Sequence, residues 1–220
     1  MSVAVIGGGA AGLAAAWRLV SQGVGVVLYE RRAVLGGLMR SDEVTGVVVD
    51  PAVQLLSSTY RRVQRLAAEV GATGLLVRSP GRDALWRDGR IHTIAYGSVP
   101  RMATSSALGM GLKLRLATQY LPFLLTRCRG LDANDPAGTG GAELDGETIA
   151  AWGARELVED FVEQAVYPFL VAHYSGVPER TSAAFYHAVA RVGLDVKFYA
   201  VTGGVGRLAE AIVRAVGSAR

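Results

Sequence analysis

Three glycines near the start of the chain constrain its fold more than any other feature. Residues 3–9 (VAVIGGG) predict a short buried strand, residues 10–23 predict a helix, and residues 24–30 predict a second, parallel strand. The turn and the start of the helix hold the glycines of a G-x-G-x-x-G pattern: Gly7, Gly9 and Gly12. This context predicts a βαβ unit that binds a dinucleotide.

Each of these glycines has its own physical role in such a unit. Gly7 permits the tight turn after the strand, Gly9 lets the backbone approach a pyrophosphate, and Gly12 lets the helix pack against the strand. The free N–H groups at the start of the helix then face the phosphates, whose charge the helix dipole favours. A glycine-rich turn in an unrelated α/β fold is the alternative, which the complete βαβ context disfavours.

An acid at the end of the second predicted strand bears on which dinucleotide is bound. Glu30 lies 18 residues after Gly12, close to the roughly 20 expected for the acid that binds the ribose. A carboxylate can accept hydrogen bonds from both ribose hydroxyls and would repel a 2′-phosphate, so NADP is disfavoured unless Arg31 or Arg32 captures that phosphate. The spacing alone leaves NAD and FAD open.

The stretch 3–41 resembles the FAD-binding start of the flavin amine oxidase superfamily, which includes protoporphyrinogen oxidases, phytoene-type desaturases and monoamine oxidases. A second glycine pair, Gly36 and Gly37, follows Glu30. The resemblance implies that this pair brings the chain back over the cofactor, which a plain NAD domain does not need. FAD is therefore the implied cofactor, with Glu30 as a ribose ligand.

The resemblance is closest to the protoporphyrinogen oxidase-like branch of NAD(P)/FAD-dependent oxidoreductases and continues along the chain. It covers a strand, Asp and helix pattern at 46–71, a hairpin at 83–94 turning on Asp88-Gly89, a helical stretch at 152–185, and a strand, glycine pair and helix at 198–216. The implied cofactor-binding residues are Gly7, Gly9, Gly12, Glu30, Gly36, Gly37 and Arg40.

Three departures from the family pattern stand out. The family commonly has an arginine directly after the second glycine pair, where this chain has Leu38, so Arg40 is the nearest candidate for its electrostatic role. Ala52 stands where the family has a glycine close to the flavin ring. The family's C-terminal Gly-Asp motif, which holds the ribityl and phosphate side of the flavin, does not occur in the 220 residues. We therefore expect a second chain as a possible source of that motif.

The expected fold is α/β: a Rossmann-like FAD/NAD(P)-binding domain with a mainly helical inserted portion of a substrate domain. We assign residues 1–95 and 198–220 to the nucleotide-binding domain, which is incomplete, and residues 96–197 to the helical insertion. The stretch 129–147 is rich in Gly, Asp and Pro and predicts an exposed loop.

Charge and cysteine content narrow the partners and the compartment. The net charge is +4, but the basic residues are scattered and 21 of the 23 are arginine, which argues against a nucleic-acid face. With Cys128 as the only cysteine, no intrachain disulfide can form, and a cytoplasmic setting is expected. Residues 107–128 are apolar with a basic fringe, so a peripheral membrane contact is possible by analogy, although an ordinary buried helix is favoured.

No side chain identifies itself as catalytic. No metal is expected, because the three histidines, His92, His173 and His187, lack the spacing of metal ligands. The sequence also contains neither a nucleophile elbow nor a P-loop. The resemblance implies an FAD-dependent oxidoreductase of the protoporphyrinogen oxidase or amine oxidase type, removing hydride from a small apolar or amine substrate. The alternatives are a truncated or split fragment without activity alone, and an NAD(P)-binding protein.

Overall fold

The computed structural model describes residues 2–80, 82–96, 98–133 and 135–218. The chain forms two compact units, unit 1 (Met1–Pro80 with Lys197–Arg220) and unit 2 (Gly81–Val196). This division differs from the sequence-based one in the hairpin at 83–94, which belongs to unit 2. The reason is that Ile94 is buried in the apolar core of unit 2 and Leu85 packs against that core.

Unit 1 opens with the predicted βαβ unit. Strand β1 (Ser2–Ile6) is followed by helix α1 (Ala10–Val20) and strand β2 (Gly25–Tyr29). The two strands pair in parallel, from Ser2 opposite Gly25 to Ile6 opposite Tyr29. The Rossmann-like start of the fold is therefore confirmed.

The remaining strands of unit 1 form two antiparallel sheets. Strands β3 (Asp42–Val44) and β4 (Val47–Val49) make a hairpin. Strand β9 (Phe198–Val201) lies between β5 (Leu56–Ser57) and β6 (Leu76–Arg78). The chain thus returns at β9 to the unit where it began.

Two further helices complete unit 1 and contribute to its core. Helix α2 (Arg61–Glu69) follows β5, and helix α11 (Gly206–Ser218) follows β9. Leu13 of α1 and Leu208 and Ile212 of α11 are all almost fully buried in one apolar cluster. Hydrophobic burial therefore holds the last helix against the first.

Unit 2 begins with a hairpin and continues as helices. Strands β7 (Asp83–Arg87) and β8 (Arg90–Ile94) pair antiparallel across Asp88 and Gly89, which have φ of +50° and +74°. Positive φ at both positions confirms the predicted tight turn. The helices are α3 (Val99–Thr104), α4 (Met110–Arg115), α5 (Leu121–Thr126), α6 (Ala142–Asp145), α7 (Ile149–Glu156), α8 (Glu159–Phe161), α9 (Tyr167–Tyr174) and α10 (Ala183–Gly193).

Side-chain caps fix the starts of two of these helices. The Thr148 hydroxyl accepts a hydrogen bond from the Ala151 N–H (3.2 Å) at α7, and the Ser182 hydroxyl accepts one from the Phe185 N–H (3.4 Å) at α10. Such caps satisfy N–H groups that a helix start leaves free. Among the described residues, π-helical segments occur at Leu116–Tyr120 and Val162–Val166.

The prediction of an irregular loop over 129–147 is wrong in its second half. Residues 137–141 form a kinked turn, in which Thr139 (φ −101°) and Gly140 (φ +99°) depart from helical geometry, and α6 follows it directly. The Asp135 carboxylate accepts a hydrogen bond from the Gly138 N–H (3.0 Å), and the Thr139 hydroxyl donates to the Asp135 carbonyl (2.7 Å). These local bonds order a segment whose composition suggests a loop.

Residues 107–128 also depart from a single helix. A π-helical segment separates α4 from α5, with Leu112, Tyr120 and Leu124 buried and Met110 and Leu114 exposed. One face is therefore covered, as expected for a helix packed against its neighbours. Within the described residues, no helix has the length and apolar character needed to cross a membrane.

Candidate functional site

The first glycine turn joins β1 to α1 at the end of the parallel strand pair. The Gly7 N–H donates to the Tyr29 carbonyl (2.7 Å), and Gly7 has a φ of +96°, which side chains rarely tolerate. Gly9 precedes α1 as its N-cap and offers no side chain to cap it, and no acid lies in the first helical turn. The helix therefore begins with N–H groups that can donate hydrogen bonds to an anion.

The room over this turn is not filled by protein. A Cβ added to Gly7 would meet nothing within 4 Å, and one added to Gly9 would come no closer than 3.9 Å, to the Gly37 Cα. A Cβ on Gly12, in contrast, would overlap the Gly7 carbonyl oxygen. Gly12 thus allows α1 to begin directly against the turn, and Gly7 and Gly9 leave space for a ligand.

The second glycine pair lies against the first turn. The Gly36 N–H donates to the Gly8 carbonyl (2.7 Å), and Gly36 forms a parallel bridge with Gly9. Gly36 and Gly37 have φ of +117° and +59°, and a Cβ on Gly37 would stand 3.0 Å from the Gly9 Cα. The two turns cross at a distance that only glycine permits.

Glu30 closes one side of this arrangement. Its Oε2 accepts a hydrogen bond from the Gly8 N–H (2.7 Å), and its Oε1 accepts one from the Arg32 N–H (2.8 Å). The bond from Arg32 and then that from Gly8 hold the pKa of the Glu30 carboxyl below its usual value. Each carboxylate oxygen retains a lone pair that a ribose hydroxyl could use.

The arginines near the site have distinct surroundings. Arg40 donates from Nε to the Asp42 carboxylate (3.1 Å) in a partly exposed ion pair. Arg31 and Arg32 lie on the surface. The structure therefore places Arg40 in a pair with an acid of β3, and its role toward a cofactor stays a prediction. Ala52, which stands where the family has a glycine close to the flavin ring, is exposed.

A hydrogen-bond network that the sequence did not reveal supports the same unit. The Ser41 hydroxyl donates to Asp50 Oδ1 (2.5 Å), which also accepts from the Val205 N–H (3.0 Å). The Ser41 Oγ in turn accepts from the Gly206 N–H (2.9 Å) at the start of α11. A serine and an acid from the first fifty residues thus cap the last helix of the chain.

The glycine pair before α11 makes room for this network. Gly203 and Gly204 have φ of +74° and +91°, and a Cβ on Gly204 would overlap the Ser41 Oγ. The local sequence indicates that 203–204 is a turn. It cannot indicate that Ser41 fills the space above Gly204, because the two residues are far apart in the chain.

The histidines and the cysteine lie in unit 2, where His92, His187 and Cys128 are buried. His92 is buried, with Nδ1 3.0 Å from the Ser106 hydroxyl, and His187 is buried, with Nδ1 3.1 Å from the Tyr120 hydroxyl. Burial lowers the pKa of His187 to about 3, so its ring is neutral at pH 7. Cys128 is buried, and burial raises its pKa to about 11. No group of three or more potential metal ligands occurs among the residues that the structure describes.

Comparison with known proteins agrees with this geometry. A family model described as flavin containing amine oxidoreductase matches residues 10–220. The chain belongs to this family. Its members bind FAD, so FAD is the family's cofactor. The match begins just after Gly9, so the first glycine turn rests on its own geometry.

Individual proteins similar to this chain share low sequence identity with it. A putative flavin-containing monoamine oxidase of Mycobacterium tuberculosis is 29% identical over 153 residues, covering 69% of this chain and 32% of that protein. A putrescine oxidase structure has a TM-score of 0.71 at 19% identity, covering 99% of this chain and 49% of its own. A putative protoporphyrinogen oxidase from Exiguobacterium has a TM-score of 0.61 at 18% identity, with coverages of 97% and 50%.

The chain therefore spans about a third of its curated relative and about half of the solved structures. At these identities the structural matches establish a shared fold. Within that fold, the residues at the two glycine turns fit a dinucleotide, because their missing side chains leave room beside uncapped N–H groups and a carboxylate. The assignment of Gly7, Gly9, Gly12, Glu30, Gly36, Gly37 and Arg40 to cofactor binding stays a prediction.

Proposed function

We propose that this chain carries the adenosine diphosphate side of the FAD site in an oxidoreductase of the protoporphyrinogen oxidase or amine oxidase type. The proposed reaction removes hydride from a small apolar or amine substrate. One observation carries the proposal: two glycine turns cross at the uncapped start of α1, beside the carboxylate of Glu30. Two amine oxidases and a protoporphyrinogen oxidase-like protein among the similar proteins support the reaction class.

Each part of the site has a defined task. The N–H groups at the start of α1 would receive the pyrophosphate, with Gly7 and Gly9 leaving it room. Glu30 would accept hydrogen bonds from the ribose of the adenosine half. The bound flavin would supply the hydride acceptor, while the protein contributes binding and orientation. Arg40, already paired with Asp42, would add positive charge near the second glycine pair.

The test is to purify the chain, record its visible absorption and measure the FAD released on heating. We expect stoichiometric FAD, or binding of added FAD, and an affinity for FAD that falls about tenfold in Glu30→Gln because the charged acceptor is lost. Glu43→Gln, which changes an exposed acid of β3, is the matched control. A folded, colourless chain that FAD cannot reconstitute would contradict the proposal for the isolated chain.

NAD(P) binding is the second candidate for the same site. It is favoured only by the two exposed arginines after Glu30, Arg31 and Arg32. The Glu30 carboxylate lies between the N–H groups of Gly8 and Arg32, where it would repel a 2′-phosphate. Saturable NADPH binding that Arg31→Ala weakens, without binding of FAD, would replace the first proposal with this one.

A further polypeptide segment, such as a second chain, is proposed to cover the β1–β2 sheet. This sheet has two strands, and Ile6 and Tyr29 at their ends are 87% and 59% exposed. Exposed apolar side chains on an open sheet favour a partner. Co-expression with a segment carrying the family's Gly-Asp motif should increase the FAD retained, and a monodisperse, cooperatively unfolding monomer that gains nothing from this segment would contradict the idea.

A peripheral contact with a membrane is a separate proposal, and it concerns the stretch 107–128. Met110 and Leu114 of α4 are exposed, as is Arg115 at the end of the same helix, an arrangement that suits an anionic surface. Co-sedimentation with vesicles of phosphatidylglycerol should fall in Met110→Ser, and equal recovery with and without vesicles would count against it.

A further inference from the structure

Unit 2 contains an apolar cavity of about 150 Å³ among its helices. Most of its lining residues are aliphatic or aromatic, including Leu108, Leu116, Leu121, Leu124, Phe161 and Phe169. The π-helical segments at 116–120 and 162–166 contribute to the wall, through Leu116, Ala117 and Tyr120 in the first and Ala165 in the second. Single π-helical turns are costly and recur at functional sites, which directs attention to this cavity.

Two polar side chains in the wall, Tyr96 and Lys113, have no hydrogen-bond or ion-pair partner among the described residues. Tyr96 lines the cavity, and its hydroxyl is buried without a hydrogen-bond partner among the described residues. Lys113, half-buried, also lines the cavity and forms no ion pair with the acids of the described residues. The Tyr96 hydroxyl is buried, and a buried polar group without a partner is costly unless a water or a ligand completes it.

Contacts within the protein fix two of the tyrosines in the wall, Tyr120 and Tyr96. The Tyr120 hydroxyl lies 3.1 Å from His187 Nδ1, so it is already engaged. Burial, and secondarily the charge of Asp83, raises the pKa of Tyr96, so its hydroxyl stays protonated and can donate. The Tyr96 ring contacts Phe169 at 4.8 Å between centroids, which fixes its position in the wall.

The charge of the wall selects between classes of ligand. Within the described part of the chain, the wall contains no Asp or Glu, and Lys113 is its one basic residue. An ammonium group entering it would lose its hydration and meet no carboxylate in the wall itself, because Asp83, whose charge reaches Tyr96, does not line the cavity. A carboxylate would gain the ammonium of Lys113, in a charge-assisted hydrogen bond of the stronger kind.

We infer that this cavity binds a compact amphipathic acid, with its apolar body among the helices and its carboxylate at Lys113. The cavity volume sets the size of the body, because an apolar protein cavity of about 150 Å³ accommodates a benzene ring. An arylacetic acid therefore represents the class. The site lies wholly within unit 2, so the inference does not depend on whether unit 1 binds FAD.

The basic residues of the chain provide a matched control. Lys113 and Lys197 are the only lysines, and Lys197 belongs to unit 1 and does not line the cavity. Lys113→Gln and Lys197→Gln therefore remove the same charge from two places, of which one is at the proposed site. Tyr96→Phe removes the unpartnered hydroxyl and keeps the ring.

The experiment measures binding of phenylacetate and 2-phenylethylamine to the full chain by titration calorimetry or ligand-observed NMR. We expect saturable phenylacetate binding, with 2-phenylethylamine at least tenfold weaker. Lys113→Gln should lower the affinity for phenylacetate about tenfold and reduce the preference for phenylacetate over 2-phenylethylamine. Tyr96→Phe should lower the affinity for phenylacetate severalfold, and Lys197→Gln should leave it unchanged.

The location of the ligand is tested by filling the cavity. Ala190 lines it and is only partly buried, so Ala190→Leu should occupy its space with a small effect on folding. Loss of phenylacetate binding in Ala190→Leu, with an unchanged circular dichroism spectrum, supports the inference. Equal affinities for the acid and the amine, equal effects of the two lysine substitutions, or no saturable binding of phenylacetate by the folded chain would overturn it.

Discussion

Gly12 is the residue that sets how closely helix α1 approaches the first glycine turn. A Cβ at this position would overlap the Gly7 carbonyl oxygen, and the next atoms it would meet include the Gly7 carbonyl carbon at 3.0 Å. These neighbours are backbone, so they cannot rotate away as the end of a flexible side chain could. The glycine is therefore required by the packing of the protein itself, with or without a ligand.

Replacing this glycine should destabilise unit 1. We expect Gly12→Ala to lower the free energy of unfolding by about 2 to 3 kcal/mol, the cost of forcing a methyl group into a filled space. The control is Gly74→Ala, where a Cβ would meet nothing within 4 Å, and a change within about 0.5 kcal/mol is expected. Urea unfolding followed by circular dichroism measures both, and equal stability of the two variants would refute the packing argument.

The residues that the sequence predicted and those it missed differ in how far their partners lie along the chain. Gly7, Gly9, Gly12 and Glu30 follow from a spacing within one βαβ unit, where local geometry is repeated from protein to protein. The bonds from Val205 and Gly206 to Asp50 and Ser41 span 155 and 165 residues. A single sequence carries no signal for a contact of that range.

Helix α11 follows strand β9 in unit 1, and its start depends on residues from the first part of the sequence. Asp50 and Ser41 satisfy the N–H groups of Val205 and Gly206, in the way that an N-cap residue usually does from within its own helix. The amphipathic pattern of 206–218 predicts the helix. The cap comes from elsewhere, which ties the formation of α11 to the folding of the β3–β4 hairpin.

Removing that cap should loosen the start of α11. Asp50→Ala leaves the Val205 N–H and the Ser41 hydroxyl without their acceptor, so we expect a loss of about 1 to 3 kcal/mol. Asp195→Ala, at an exposed acid of unit 2, should change stability by less than about 0.5 kcal/mol.

Hydrogen exchange and a double-mutant cycle distinguish this cap from a general loss of stability. The amides of Val205 and Gly206 should exchange faster in Asp50→Ala than those at the end of α11. Because Ser41 and Asp50 belong to one network, the effects of Ser41→Ala and Asp50→Ala should not add. Additive effects would mean that the two residues act separately.

Elements of unit 2 show where sequence patterns succeed and where they stop. The β7–β8 hairpin follows from Asp88-Gly89, because few dipeptides suit a turn with two positive φ values. That the hairpin belongs to unit 2 does not follow from its sequence. Alternating apolar and polar residues identify the apolar face of a strand, but they do not indicate which residues cover that face. The π-helical segments at 116–120 and 162–166 also lie in stretches that look like ordinary helix in the sequence.

At the scale of the whole molecule, the chain is two units with separate apolar cores. The core of unit 1 is built around α1 and α11, and that of unit 2 around its helices and strand β8. The candidate dinucleotide site lies in unit 1, and the proposed acid site lies in unit 2. A ligand that binds one unit acts first on the stability of that unit, because only its native state gains the binding free energy.

This arrangement predicts a response to ADP that is confined to unit 1. ADP represents the half of FAD that the glycine turns and Glu30 would hold, and at a concentration 100 times its Kd it should add about 2.7 kcal/mol to the stability of the state that binds it. Hydrogen exchange followed by mass spectrometry should therefore show slower exchange in peptides from β1, α1 and the turn at Gly36-Gly37. Peptides from β8 and α10 should exchange at unchanged rates.

Two controls make the result specific to the proposed contacts. Adenosine lacks the pyrophosphate that the start of α1 would receive, so it should protect unit 1 much less than ADP at the same concentration. Glu30→Gln should reduce the protection by ADP, whereas Glu43→Gln should not. Protection spread equally over both units would show that the units open together. No protection at millimolar ADP, in a chain whose circular dichroism shows it to be folded, would show that the glycine turns are structural, with α1 starting where it does because Gly12 lets it.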